Sequence, residues 1–226
     1  MPRLNYLRFF LPYFCVFIPL ASFGEDVCSK YRFDTDVNVK NTTKYNPIIK
    51  SSDKDLVGET GHIYYQTSYS SAILVVPVPV KNGYCVSLRS FDVEINVPDF
   101  TIVIDKRLKP NTCAYNITLA HEKDHMNVNK TVINENLNNI KKAIIDATKE
   151  INPVFISDIN EVEKIQLSIG EKIKSHKSVQ DIKNKIESEM NDKNEKIDTR
   201  GDSFEMWKCE DFYKEMKQNN GKITID

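Results

Sequence analysis

The apolar positions of this chain change their period near residue 110, and the change divides it into a strand-rich part and a helical part. From Gly61 onward, His62-Ile63-Tyr64-Tyr65, Ala72 to Val80, Tyr84 to Val97 and Phe100 to Ile104 are rich in β-branched and aromatic residues. Clusters of Gly, Asn, Ser and Pro separate them, as strands and turns require. Phe91 to Val97 alternates apolar and polar strictly, so that strand should have one wet face. These segments predict a small antiparallel sheet within residues 55–108. Residues 25–55 are polar and weakly patterned, and predict an irregular arm with a short strand.

Pro110-Asn111-Thr112 then punctuates the chain. Leu119, Met126, Ile133, Leu137, Ile140 and Ile144 form one stripe at helical spacing, running to about Glu150. Asn152-Pro153 stops this long helix, because proline disfavours helical backbone at the residue before it. A second helix follows, with Ile159, Val162, Ile169 and Ile173 on one face, and folds back as a helical hairpin. Residues 187–202 are charged and Asn-rich and read as a frayed helix end and a loop. A short last helix around Phe204 to Met216 carries Trp207 and Cys209. The fold class is α+β, with residues 25–226 as a single domain and its helices within 112–217.

Residues 1–24 read as a signal peptide: Arg3 and Arg8 are positive, Phe9 to Leu20 is apolar, and Ser22-Phe23-Gly24 offers a cleavage point. The apolar run, interrupted by Pro12 and Pro19, is shorter than the ~18–20 residues a membrane span needs. The mature chain is therefore expected outside the cytoplasm, secreted or periplasmic, with no stable membrane span. The full chain carries a net charge of -1. Loss of two leader arginines makes it slightly more acidic, and no basic patch points to nucleic acid. Cys15 lies in the leader. Cys28, Cys85, Cys113 and Cys209 remain, an even number that predicts two disulfides in an oxidising compartment. Of three possible connectivities, Cys85 with Cys113 is the local pair, which would leave Cys28 with Cys209.

One motif carries chemistry. In Leu119-Ala120-His121-Glu122-Lys123-Asp124-His125 the two histidines stand four apart on a helix, one turn from each other on the same face, so both imidazoles can reach one ion. Glu122 lies about 100° round from His121, where a carboxylate can take a proton from an attacking water without binding the ion. Two ligands and a base at this spacing suit zinc-assisted hydrolysis. The plainer reading, two surface histidines beside Lys123 and Asp124, sits poorly with Val128 and Val132 on the same face.

The stretch Val103-Ile104-Asp105, Lys109-Pro110-Asn111-Thr112-Cys113-Ala114-Tyr115 and Leu119 to His125 resembles an uncharacterised bacterial group of predicted secreted zinc-dependent proteases. The resemblance covers residues 84–130. It implies His121 and His125 as zinc ligands and Glu122 as the catalytic carboxylate; a peptidase built on them would take a peptide or protein as substrate.

The third ligand is not local. Val128 and Thr131 stand where a metzincin needs glycine and histidine, and Asn129 and Lys130 replace the glutamate of some related helices. Glu135 is ten residues on, about 15 Å along the helix. A hairpin turning near Asn152-Pro153 places residues around 180–184 opposite the histidines. His176 is then the leading third ligand, with Asp181 and His62 behind it. Asn41, Asn116 and Asn129 begin N-x-Thr sequons. Arg200-Gly201-Asp202 reads as a charged turn, and Tyr64, Tyr65 and Tyr115 as packing residues that could polarise a carbonyl. Two functions follow: a secreted zinc peptidase, or a non-enzymatic exported binding or envelope protein in which the helix holds metal structurally or not at all.

Overall fold

The computed structural model describes residues 25–56, 59–200, 205 and 208–210. The leader, Trp207 and most of the expected last helix lie outside the described residues.

Two mixed sheets share one long helix. After the short helix α1 (Glu25–Cys28), the first sheet is built on β5 (Gly83–Asn96). Along one side β4 (Ser68–Val80) runs antiparallel; along the other, β1 (Asp36–Asn41) pairs in parallel with residues 90–95 and β7 (Val154–Ile156) pairs antiparallel with residues 84–86. Asn82, at φ 67°, turns the tight β4–β5 loop, a left-handed position that asparagine tolerates. In the second sheet β6 (Thr101–Ile104) is central, with β2 (Ile48–Ser51) parallel on one side and β3 (Gly61–Tyr64) antiparallel on the other. Burial in the second half of β5 alternates as expected: Phe91, Val93, Ile95 and Val97 are buried, and the residues between them are not.

The α+β class therefore holds, while the single antiparallel sheet is corrected to two mixed ones. The arm before residue 55 supplies β1 and β2, each laid parallel onto a strand far downstream. Every residue of β2 is exposed, so this short edge strand has no alternation to read.

Helix α2 (Cys113–Thr148) is the spine. Its apolar stripe falls where the period puts it. Met126, Ile133 and Ile144 are buried, and Leu119, Leu137 and Ile140 are half-buried. Ile133, Ile144 and Ala147 pack with Val86, Phe91, Val93 and Ile95 of the first sheet, and Ala114 packs with Ile102 and Ile104 of the second. Each large side chain buried there contributes roughly 1.5–3 kcal/mol.

Two helices complete the fold. In α3 (Val162–Ser175), Ile169 and Ile173 turn toward the first sheet. His176 is extended, ends α3 and caps α4 (Lys177–Asp198). Helix α4 lies antiparallel on α2, bonded from Ser178 Oγ to the Ala143 carbonyl (2.7 Å) at one end and from Asn194 to His125 (2.9 Å) at the other. The segment read as a frayed end and loop is thus helical to Asp198.

The disulfides join Cys28 to Cys85 and Cys113 to Cys209, which corrects the expected pairing. Cys85 opens β5, whose 14 residues carry the chain some 45 Å before it turns into the second sheet and α2. Closeness in sequence is therefore not closeness in space. Cys28 packs against Cys85 instead, while Cys209 is buried with Ile102, Ile104 and Ala114 beside Cys113.

At the end of β6, Asp105 is 1% exposed. It accepts hydrogen bonds from the backbone N–H groups of Leu56 (2.7 Å) and Arg107 (2.8 Å) and from the Arg107 guanidinium (2.7 and 2.9 Å). Burial alone would raise its pKa, but these bonds outweigh burial and hold it below the usual carboxylate range.

Two outcomes are expected. Non-reducing peptide mapping should recover Cys28–Cys85 and Cys113–Cys209 and no Cys85–Cys113 peptide, and loss of either bridge should cost about 2–5 kcal/mol in denaturant unfolding. Because Asp105 is held more acidic when folded than when unfolded, its contribution is present above the ordinary carboxylate pKa and fades as pH falls through the depressed folded value. Asp105→Asn should lower stability by on the order of 2 kcal/mol at pH 7, and the gap to wild type should close in acid.

Candidate metal centre

Helix α2 presents His121 and His125 one turn apart, with ring centroids 4.8 Å from each other and Nε2 atoms 3.1 Å apart. A third donor arrives from the last turn of α4. Asp198 Oδ1 lies 3.0 Å from His125 Nε2 and 3.4 Å from His121 Nε2. Among the described residues these three form the group of histidine and carboxylate side chains able to hold a metal ion.

The spacing suits a small divalent ion, and zinc fits it. Four ligands at about 2.05 Å from a tetrahedral ion stand roughly 3.3 Å from one another, and the three edges here are 3.0, 3.1 and 3.4 Å. Two imidazoles and one carboxylate are also the donor types zinc accepts when its fourth position stays open. The imidazoles are largely sheltered, at 20% and 12% side-chain exposure, whereas Asp198 is 61% exposed. The site therefore opens to solvent on its α4 side.

Glu122 stands on the other flank and is buried. Burial pushes its carboxyl above the usual range, against the opposing pull of His121, His125 and His62. It faces β3, where Gly61 lets the strand lie flush on the helix. A Cβ at Gly61 would stand 2.5 Å from Thr118 Cγ2 and 3.2 Å from Glu122 Oε1. Thr118 donates its hydroxyl proton to Thr60 Oγ1 (3.1 Å), which ties strand to helix one turn before the histidines. Thr118, Glu122, Asn129 and Asn136 make a buried polar stripe along α2, beside its apolar one.

The histidine pair thus falls together, while the expected third ligand does not join it. Nε2 of His176 lies 3.3 Å from Glu150, and Nδ1 is 2.8 Å from Ser178 Oγ. Ser178, to which His176 is bonded, meets the Ala143 carbonyl, 22 residues from His121 along α2, or about 33 Å. The expected register assumed one continuous return helix. Instead β7 and α3 first pack along the sheet, so the chain meets α2 later, and residues 194–198 fall opposite His125. Asp181 pairs with Lys177.

His62 is turned aside by the pleat. Gly61 and Ile63 pair with buried Ile104 and Ile102 on the helix-facing side, so His62 points to the opposite face, bonded to Glu59 (3.0 Å) and edge-on to Tyr64. Tyr65 packs on Phe100, and Tyr115 packs with the Ile102 cluster. Asn129 is fully buried, which closes that sequon in the folded chain. Arg200 pairs with Asp124 at 2.8 Å.

No family model, curated protein or solved structure matches this chain.

Two substitutions probe this geometry. Asp198→Ala should bind zinc about 10-fold or more weakly than wild type in a competition titration, His121→Ala more weakly still, and His176→Ala as wild type does. Gly61→Ala should destabilise by about 1–3 kcal/mol in thermal unfolding, because Thr118 and Glu122 have to yield.

Proposed function

We propose that this chain is an exported zinc-dependent peptidase, as its resemblance to the predicted secreted zinc-protease group implies. The observation that carries this reading is the convergence of His121, His125 and Asp198 within one zinc's reach, with the buried carboxylate of Glu122 beside His121. The three donors would hold the ion, and catalysis requires that the fourth coordination position be left for water or substrate. Zinc, when bound, lowers the pKa of a water ligand towards ~7 and polarises a carbonyl.

The remaining chemistry belongs to the protein. Glu122 follows a ligand in sequence but projects towards β3, so it can accept a proton from the attacking water without competing for the ion. The same carboxyl then returns that proton to the departing amine. Asp198 supplies the one negative charge among the three ligands, which leaves the loaded site electrophilic. Solvent access on the α4 side offers a way in for an extended peptide, while the β3 side stays packed.

Two disulfides agree with folding in an oxidising compartment, as the leader expected at residues 1–24 requires. No helix among the described residues is long and apolar enough to cross a membrane. The rival is an exported binding or envelope protein in which the helix holds an ion structurally, with a fourth protein ligand closing its shell, or holds none.

The test separates chemistry from binding. Glu122→Gln should keep about one zinc per chain and the wild-type circular dichroism spectrum, yet cleave a mixed peptide library at least ~10²-fold more slowly. Equal cleavage by wild type and Glu122→Gln would assign the activity to another mechanism or a contaminant. Zinc bound by both with no cleavage by either, over a broad library and pH range, would favour the structural-ion reading.

A further inference from the structure

We infer that Asn194 is the positioning residue of the metal centre, setting which nitrogen of His125 faces the ion and hence how tightly zinc is held. The inference rests on the metal site proposed above and adds to it a residue that touches no metal.

The two helices face each other through matching i, i+4 pairs. Helix α2 offers His121 and His125; α4 offers Asn194 and Asp198, one turn apart on its inner face. Asp198 reaches the Nε2 atoms, while Asn194 Oδ1 meets His125 Nδ1 at 2.9 Å. With its amide oxygen toward the ring, Asn194 can accept a bond only from the tautomer of His125 that carries its proton on Nδ1, and so favours that tautomer. In a neutral imidazole the lone pair then sits on Nε2, the atom directed at His121 and Asp198. One bond thus favours both the ring orientation and the tautomer. A ligand imidazole lacking such a partner divides between tautomers and rotates, and loss of an outer partner of this kind commonly costs 10–100-fold in metal affinity.

The choice of amide also matters. A carboxylate at 194 would accept the same N–H bond, but it would add a second negative charge close to Asp198 and make the site hold zinc more firmly. Asparagine orients His125 without that charge. Because Asn194 and Asp198 ride on one helix, orientation of a ligand and delivery of a ligand arise from the same packing event. Lys193, adjacent to Asn194, bonds Glu135 of α2 at 3.2 Å and Glu189 of its own helix at 2.8 Å, which holds this part of α4 in place.

The experiment is zinc titration of the mature disulfide-bonded protein in competition with a chromogenic chelator, for wild type, Asn194→Leu, Asn194→Asp and His121→Ala. Thermal unfolding of each metal-free protein is measured alongside. Asn194→Leu should weaken zinc binding 10–100-fold while its metal-free melting temperature stays near wild type. Asn194→Asp should bind at least as tightly as wild type. Long-range proton–nitrogen NMR of zinc-loaded wild type should show His125 protonated at Nδ1. Wild-type affinity in Asn194→Leu, or His125 protonated at Nε2, would overturn the inference. Should Asn194→Leu prove destabilised, the NMR assignment and the Asn194→Asp affinity decide. If His121→Ala also binds as wild type does, the metal site itself fails; if only Asn194→Leu does, the role of Asn194 alone is lost.

Discussion

The register of α4 on α2 is the constraint on which the site depends. His121 and His125 are brought together by one turn of helix and need nothing else. Asp198 is 73 residues beyond His125 and reaches it only because α4 runs back along α2 and ends beside the histidines. Slip that pairing by one turn, about 5.4 Å, and the carboxylate is no longer within an ion's reach. Several contacts pin the register: Ser178 on the Ala143 carbonyl, Asn136 on Glu189, Lys193 on Glu135, and Arg200 on Asp124. The charged contacts among them are exposed and contribute little singly. Buried Ile186 and Ile197 on α4 supply more.

The second constraint is the close approach of β3 to the opposite flank of α2. Gly61 removes the side chain that would hold the strand off, and the Thr118–Thr60 bond fixes its height. Glu122 is thereby walled in on one side, while the α4 side stays open at Asp198. Burial raises the pKa of the Glu122 carboxyl against the pull of His121, His125 and His62, so its charge state is set by this packing.

What could be read from the sequence was what depends on local period. The α2 stripe, the alternation from Phe91 to Val97 and the HEKDH spacing are properties of neighbouring residues, and each predicts its element or face without the rest of the fold. The features that escaped depend on non-local pairing. Strands β1 and β2 are short parallel additions whose partners lie about fifty residues downstream. The break at His176 carries no proline or glycine, and apolar spacing passes through it from Ile173 to Val179, so two helices looked like one. That hidden break displaced the register and pointed to His176 in place of Asp198. The repeat of the i, i+4 spacing at Asn194 and Asp198 was a usable signal, but it lay in a stretch whose charge and asparagine content suggested a loop. The disulfide pairing was misjudged because a long extended strand separates cysteines that are near in sequence.

The central claim is that one zinc is held by two imidazoles from α2 and one carboxylate from the end of α4. Its most direct measurement is a crystal structure of the zinc-soaked mature protein, with anomalous diffraction collected on both sides of the zinc edge. The account predicts a single strong anomalous peak about 2.0–2.2 Å from His121 Nε2, His125 Nε2 and an Asp198 carboxylate oxygen, with a non-protein ligand in the fourth position. A peak at His176 or His62, or a zinc on the histidine pair with Asp198 turned away, would contradict it.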